Sequence, residues 1–506
     1  MNRPTTTTRT ALGVVMTAAL LLLAGCGSTV SPSIRRAAAA RGSGSGLGGP
    51  TDSQSLDSSG SGDAAVSGGG AVGPGNGSGS SGGRTVTTSA NRAGTGAGSG
   101  ATASATGPIE VGIVRTGTSN AAAFGASLGN SVSESDVDDA LVAAVNDQGG
   151  LGGHKIVPVY ADTDTGSSSW DADFEAACAK FTQDHKVASV LGYVFNHDPA
   201  FEGCLAKRSV PHLNTGFNIP DAGELKNYPL LMALSTPRIE RRSREKVDGG
   251  LATGVLTKAS KIGVVLDQCP GTERAWNDVT KPYIQSKGLT IASVFAVGCA
   301  HGAGDAAAIA GQAGNLVLQF RTAGVDRVMA DAVSEGPGVL VLASAAEAQN
   351  WHPWYVVSSL ANAAVLGGQI PPDQAANIKG YGWMPAEDVN PPQWPSTNAT
   401  QQRCINLLKS KGITLKAATD YLYAFNLCDS FFIYDLALKA THGNTSGPAV
   451  VAAVEALGTS YLSALNLEGK DTFSHSQHDA PSLARFFAWD TGCSCFTYRS
   501  YTFPIA

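Results

Sequence analysis

The stretch Asn146–Asp164, NDQGGLGGHKIVPVYADTD, carries a helix stop and a strand start in immediate succession. Upstream, Val137, Leu141, Ala144 and Val145 recur at helical spacing, and Ser133 or Ser135 stands where an N-cap belongs. Gly149 and Gly150 can take positive φ and stop that helix. Leu151 plugs the junction and Gly152-Gly153 continue the turn. His154 to Tyr160 then reads as a short, mostly apolar strand, with Asp162 and Asp164 at its carboxyl end. Ligands of open α/β sheets collect at that edge.

Outward from this stretch the same alternation continues. Ile109 to Val114 is an apolar strand before it. After it, Trp170, Phe174, Cys178 and Phe181 mark one face of a helix. Val187 to Leu191 reads as a strand, Phe201 to Lys207 as a helix and Val210 to Leu213 as a strand. Strands alternating with helices imply a parallel sheet covered on both faces. A second run follows, with strands at Lys261–Asp267, Leu289–Val297, Val325–Ala330 and Trp354–Ser358. The helices of this run fall at Arg274–Lys287, Ala306–Thr322 and Val339–Gln349. Two separate runs predict two similar α/β lobes, each a parallel sheet flanked by helices. The chain then returns to helices at Tyr421–Ala440 and Ala449–Leu457.

The amino terminus carries address rather than fold. In residues 1–26, Arg3 and Arg9 precede the apolar run Ala11–Leu23, as in a signal peptide. The segment closes on Leu23-Ala24-Gly25-Cys26, which resembles the lipobox of bacterial lipoproteins, whose Cys thiol receives a diacylglyceryl group. The rival reading is an ordinary signal peptide with a chance Cys. No later stretch is long and apolar enough to span a bilayer. The chain is therefore expected to be exported and lipid-anchored through Cys26 to the outer face of the cell membrane. Residues 27–107 are almost entirely Gly, Ser, Ala and Thr, too poor in large apolar groups to offset ordering entropy, and read as a disordered tether. The rest is long enough for two lobes. Net charge is −6, from 35 basic and 41 acidic residues without a long basic run, so nucleic acid is not an expected partner.

Removing Cys26 leaves Cys178, Cys204, Cys269, Cys299, Cys404, Cys428, Cys493 and Cys495. An even set outside the reducing cytosol points to disulfides. Sequence leaves the connectivity open; neighbours in chain order, Cys178–Cys204, Cys269–Cys299 and Cys404–Cys428, are the expected pairs. Cys493-Ser494-Cys495 would close only as a small, strained ring. A zinc site is the weaker alternative, because no CxxC pair is present.

The pattern N-x-x-GG-x-x-G-x-K-strand-D at Asn146–Asp162 resembles the branched-chain amino-acid-type solute-binding proteins of ABC importers. So do the helix DYLYAFNLCDSFFIYDLALKA from Asp420 and the VVAAVEAL that begins at Val450. The resemblance implies a two-lobed type I periplasmic-binding-protein fold whose chain crosses between lobes three times. The implied lobes are 108–235 plus 361–445, and 236–360 plus 446–506. It also implies a helix-to-helix disulfide in the first lobe, matching Cys178–Cys204, an ABC permease as partner, no cofactor and no enzymatic activity.

Binding contacts are expected in the loops after the strands: Thr116–Asn120, Tyr193–His197 and Asn214–Phe217 in one lobe, and Gln268–Thr272, Asp331–Glu335 and Ser358–Leu360 in the other. Trp383 and Met384 fall on the hinge side. The ligand set is Thr118, Phe195, Asn196, Asn214, Thr215, Gln268, Ser359 and Trp383. In the family, Ser/Thr hydroxyls and backbone N–H groups after the third and fourth strands hold an α-carboxylate, and Thr215 in LNTGF matches the second of these. The first loop reads GYVFNHDP, with no Ser or Thr. Asp267-Gln268-Cys269-Pro270-Gly271 lacks the family's aromatic, and VVSSL lacks the acid that meets an ammonium group. A buried ammonium without that acid is costly. With Phe195, Phe217 and Trp383, these departures favour a solute with an apolar or aromatic part and neutral polar groups.

No G-x-S-x-G, H-E-x-x-H or Walker-type loop occurs. Asp162 and Asp164 read either as an acid/base pair or as a turn, with the turn favoured. His197, His212, His301 and His352 read as ordinary polar or packing residues. His475 and His478 have a metal-like spacing but no evident third ligand. The expected function is capture of a small amino-acid-like or amide/aromatic solute for import. The alternative is a sensing or envelope protein-docking receptor of the same fold.

Overall fold

The computed structural model describes residues 107–116, 129–192, 199–216, 219–331 and 335–506. The signal segment, Cys26 and nearly all of the tether lie outside the described residues.

In the opening stretch the helix runs Glu134–Asp147 and is capped by Ser133, whose hydroxyl accepts from Asp136 N–H at 3.1 Å. All four glycines of GGLGG take positive φ. At Gly150 a Cβ would sit 1.8 Å from the His154 carbonyl oxygen, and at Gly152 one would sit 2.3 Å from Leu438 Cβ. Those two positions therefore need glycine for space as well as for conformation. Leu151 is buried and bridges to His154. The His154 ring meets the carbonyls of Gly107 and Gly443, so the strand proper begins two residues later than the apolar run predicts. Asp162 lies within that strand, exposed, and Asp164 accepts from Gly166 N–H at 2.7 Å. The turn reading of this carboxylate pair is the observed one.

Strands β1 (Ile109–Thr116), β2 (Ile156–Thr163), β3 (Ser189–Gly192), β4 (His212–Asn214) and β5 (Leu231–Ala233) form one sheet in the order β2-β1-β3-β4-β5, parallel throughout. The second sheet is built from β6 (Lys261–Asp267), β7 (Thr290–Val297), β8 (Arg327–Ala330), β9 (Trp354–Ser358), β10 (Ile378–Gly382), β11 (Leu483–Asp490) and β12 (Cys495–Pro504). Its order is β12-β11-β10-β9-β8-β6-β7. Strands β6 to β10 are parallel, and β11 and β12 add an antiparallel hairpin at one edge. This lobe is thus mixed at its margin rather than parallel throughout. Hairpin residues alternate apolar and polar only loosely, so their pairing was not legible by period.

The helix expected at Ala306–Thr322 divides at Gly311-Gln312 into Ala303–Ala310 and Ala313–Thr322. The expected partition also differs around the hinge. Residues 361–445, expected in the first lobe, supply β10 to the second sheet. The helix Gly447–Glu455, assigned to the second lobe, packs on the helix Ala418–Ala440. That long helix is buried along most of its length and packs on β3 and β4 of the first sheet, and it also touches the turn Pro385–Asp388 that follows β10. The crossing therefore occurs after β10, not before it.

The three expected disulfides form: Cys178–Cys204, Cys269–Cys299 and Cys404–Cys428, with Cα atoms 6.4, 4.7 and 5.9 Å apart. Cys493 and Cys495, whose pairing the sequence leaves open, also close on each other across the turn between β11 and β12, where Ser494 takes φ 51°. Among the described residues no helix is long and apolar enough to cross a membrane.

Candidate functional site

Residues just past the carboxyl ends of β5 and β10 meet where the chain crosses between lobes, and the described members of the predicted ligand set sort themselves around that point. Asn214 ends β4, is fully buried, and its side-chain oxygen accepts from Gly216 N–H at 2.9 Å. The next residue, Thr215, is also buried, but among the described residues its hydroxyl has no hydrogen-bond partner, and neither does that of Thr236 just past β5. A buried hydroxyl without a partner costs about 1–3 kcal/mol. In the second lobe Gln268 is exposed at the end of β6. Ser359, fully buried after β9, accepts from the backbone N–H groups of Trp383 and Met384 at 2.8 and 3.1 Å.

Trp383 joins the halves. Its indole N–H donates to the Ser235 carbonyl at 2.7 Å, and the Ser235 hydroxyl donates to the Gly216 carbonyl at 3.0 Å. A hydrogen-bonded path therefore runs from Ser359 through Trp383 and Ser235 to Gly216 and Asn214, across the hinge. Trp383 has no exposed surface, so in this arrangement it locks the hinge rather than facing a cleft. Thr118, Phe195 and Asn196 lie outside the described residues, as does Phe217.

Under the second sheet sits a charge cluster that hydrophobic periodicity could not reveal. Asp331, at the end of β8, is fully buried and accepts from the Ser243 hydroxyl at 2.6 Å. Arg242 and Lys246 each approach its carboxylate at 3.5 Å. Burial works to raise the Asp331 pKa, but the two cations and the hydroxyl outweigh it and hold the carboxyl below its usual range. Glu335 accepts from the backbone N–H and hydroxyl of Ser358, each at 2.7 Å. The only sequence signal was Arg242 and Lys246 at i,i+4, which places them on one helix face.

The lobes also touch at two rims, at residues that pattern reading missed. Arg274, on the helix after β6, forks onto Asp221 at 2.8 and 3.0 Å and reaches Glu224 at 3.2 Å. Asp221 and Glu224 form a reciprocal cap on a helix between β4 and β5 of the other lobe. At the second rim Trp170 N–H donates to the His301 carbonyl at 2.8 Å and Ala303 N–H to the Ser167 carbonyl at 2.9 Å. There the His301 ring lies 3.1 Å from Asp171. His301 is thus a polar packing residue, as expected, and its contacts run between the lobes.

His475 and His478 both face Glu455, at 3.3 and 2.8 Å. Among the described residues the three-ligand grouping close enough for a metal is instead Glu347, His352 and Asp373, partly exposed.

A comparison with protein-family models and with curated proteins finds no match. Solved structures do match. An ABC transporter solute-binding protein from R. palustris, in complex with 4-hydroxybenzoate, is 14% identical, with a TM-score of 0.56, over 78% of this chain and 97% of that one. A leucine-binding protein from Thermotoga maritima is 12% identical, with a TM-score of 0.55, over 78% of this chain and 98% of that one. A fatty acid ABC transporter substrate-binding protein from Thermomonospora curvata is 14% identical, with a TM-score of 0.53, over 79% and 96%. The chain has the two-lobed α/β fold of these type I periplasmic binding proteins.

Proposed function

We propose that this chain is an extracytoplasmic solute receptor of an ABC importer, anchored by a lipid on Cys26 and carried off the membrane by the tether of residues 27–107. It captures a small solute between its lobes, does not alter it, and presents it to a permease. The observation that carries this reading is the meeting of two separate strand-edge surfaces, joined at a hydrogen-bonded hinge and bridged at the rim by Arg274 and Asp221. Hinged closure around a ligand is what such a geometry performs.

The solute contacts in this reading come from Thr215 with the loops that hold Thr118, Phe195 and Asn196, and from Gln268 on the opposite lobe. The open hydroxyls of Thr215 and Thr236 suit a ligand with neutral or anionic oxygen acceptors. The fold neighbours include a complex with 4-hydroxybenzoate, a leucine-binding protein and the substrate-binding protein of a fatty acid transporter, which supports an aromatic or amino-acid-like solute. Thermal-shift screening of amino acids, amides, small peptides and aromatic acids tests this. A binder at a hundred times its dissociation constant adds about 2.7 kcal/mol of stability. A flat response across the whole panel removes the reading. Cys26→Ser is expected to release the chain from the membrane fraction.

A further inference from the structure

Beside the hinge lies a cavity of about 500 Å³, within the range of small-molecule sites. None of Asn214, Thr215, Gln268 or Ser359 lines it. Its walls are the segment that follows β10, residues Leu465, Asn466 and Glu468, and the helices Ala399–Ser410 and Ala418–Ala440.

The aromatic part of the wall is preformed. Trp394 meets Tyr421 edge-on, with ring centroids 5.0 Å apart at 90°, and Tyr421 leans on Phe425 at 5.7 Å. The Trp394 ring is held by its N–H donating to the Val389 carbonyl at 2.6 Å. Most of the polar lining is already engaged. Asn398 and Gln401 cap each other and donate to the carbonyls of Ser463 and Ala464. Glu468 is paired with Arg485 at 2.8 Å. Asp420, four residues beyond Lys416, receives the backbone N–H groups of Ser131, Lys416 and Ala417 and the Ser131 hydroxyl. Lys416 is different: it lines the cavity and is exposed, and among the described residues no ion pair joins its ammonium to a carboxylate.

We propose that this cavity is a second small-molecule site, for a monocyclic aromatic carboxylate. The ring lies against Trp394 and Tyr421 and the carboxylate pairs with Lys416. Aromatic packing supplies the shape preference, and the unengaged ammonium supplies the charge preference.

The test uses the folded, disulfide-bonded chain. Crystals are soaked with 4-bromobenzoate and the bromine is located by anomalous scattering, while benzoate and benzamide are titrated calorimetrically in solution. The expected results are a bromine peak in this cavity, a loss of at least tenfold in benzoate affinity in Lys416→Met with benzamide unchanged, and weakening of both ligands in Trp394→Leu. Lys416 is exposed, so its variant reports on binding without a folding penalty. The second site is overturned by a bromine peak only at the strand-edge cleft, which would leave the solute-receptor reading standing. It is equally overturned by no peak, by a peak without measurable heat in solution (binding at crystal concentration only), or by wild-type benzoate affinity in Lys416→Met.

Discussion

Asp388 is fully buried, with one oxygen accepting from the Tyr498 hydroxyl at 2.6 Å. Burial pushes its carboxyl up to about 8, and burial together with Asp388 drives the neighbouring Glu245 and Glu387 well above their ordinary range. The unfolded chain releases the Asp388 proton near pH 4. Between about pH 4 and about pH 8 the native state holds a proton that the unfolded state has lost. Stability is therefore full below pH 4 and falls as pH rises through that window, by up to about 1.4 kcal/mol per pH unit for each such group. Asp388→Asn is expected to flatten part of this decline in urea titrations run from pH 5 to pH 8. A slope equal to wild type would mean that Asp388 is ionised in the native state. The side chains that matter here were readable as letters, but not as buried acids, because a Glu in a helix or turn carries no local mark of what covers it.

Elements were more legible than residues, and the best-read ones are those whose turn chemistry is local. The GGLGG turn is such a case, since its positive φ values follow from glycine itself. Gly152→Ala adds a Cβ against Leu438 at a left-handed position, and is expected to cost roughly 2–3 kcal/mol in chemical denaturation. The Cys404–Cys428 disulfide pins the helix Ala399–Ser410 to the helix Ala418–Ala440 across 24 positions of sequence. Replacing both with Ala is expected to lower stability by about 3 kcal/mol, seen as a shifted denaturant midpoint. The elements that escaped reading share a cause. The helix Ile239–Ala252 is rich in charge yet buries Arg242, Glu245 and Lys246, so its polar face points inward, the reverse of what amphipathic patterning assumes. The short strand β5 and the β11–β12 hairpin are defined by their neighbours rather than by their own period.

At the scale of the whole molecule the question is what holds the lobes together without a ligand. Arg274 is 46% exposed while Asp221 is nearly buried, so their fork is a rim contact of modest strength that salt weakens. Arg274→Ala is expected to give a larger radius of gyration by small-angle scattering at about 0.05 M salt than wild type, with the difference shrinking near 1 M, where screening acts within about 3 Å. Equal radii at low salt would assign closure to the hinge and to the His301 rim alone. Sequence by itself determined the two α/β runs, the helix stop at Gly149-Gly150 and the family likeness, because each depends on periodicity, turn chemistry or short-range order along the chain. Only the tertiary structure decided where the chain crosses between lobes, which strand ends face each other, that Trp383 closes a hinge bond to Ser235, and that Arg274 meets Asp221. Those facts depend on sheet order and on contacts between distant segments, and burial of a charged or aromatic side chain is a property of what packs over it, which no single stretch of sequence contains.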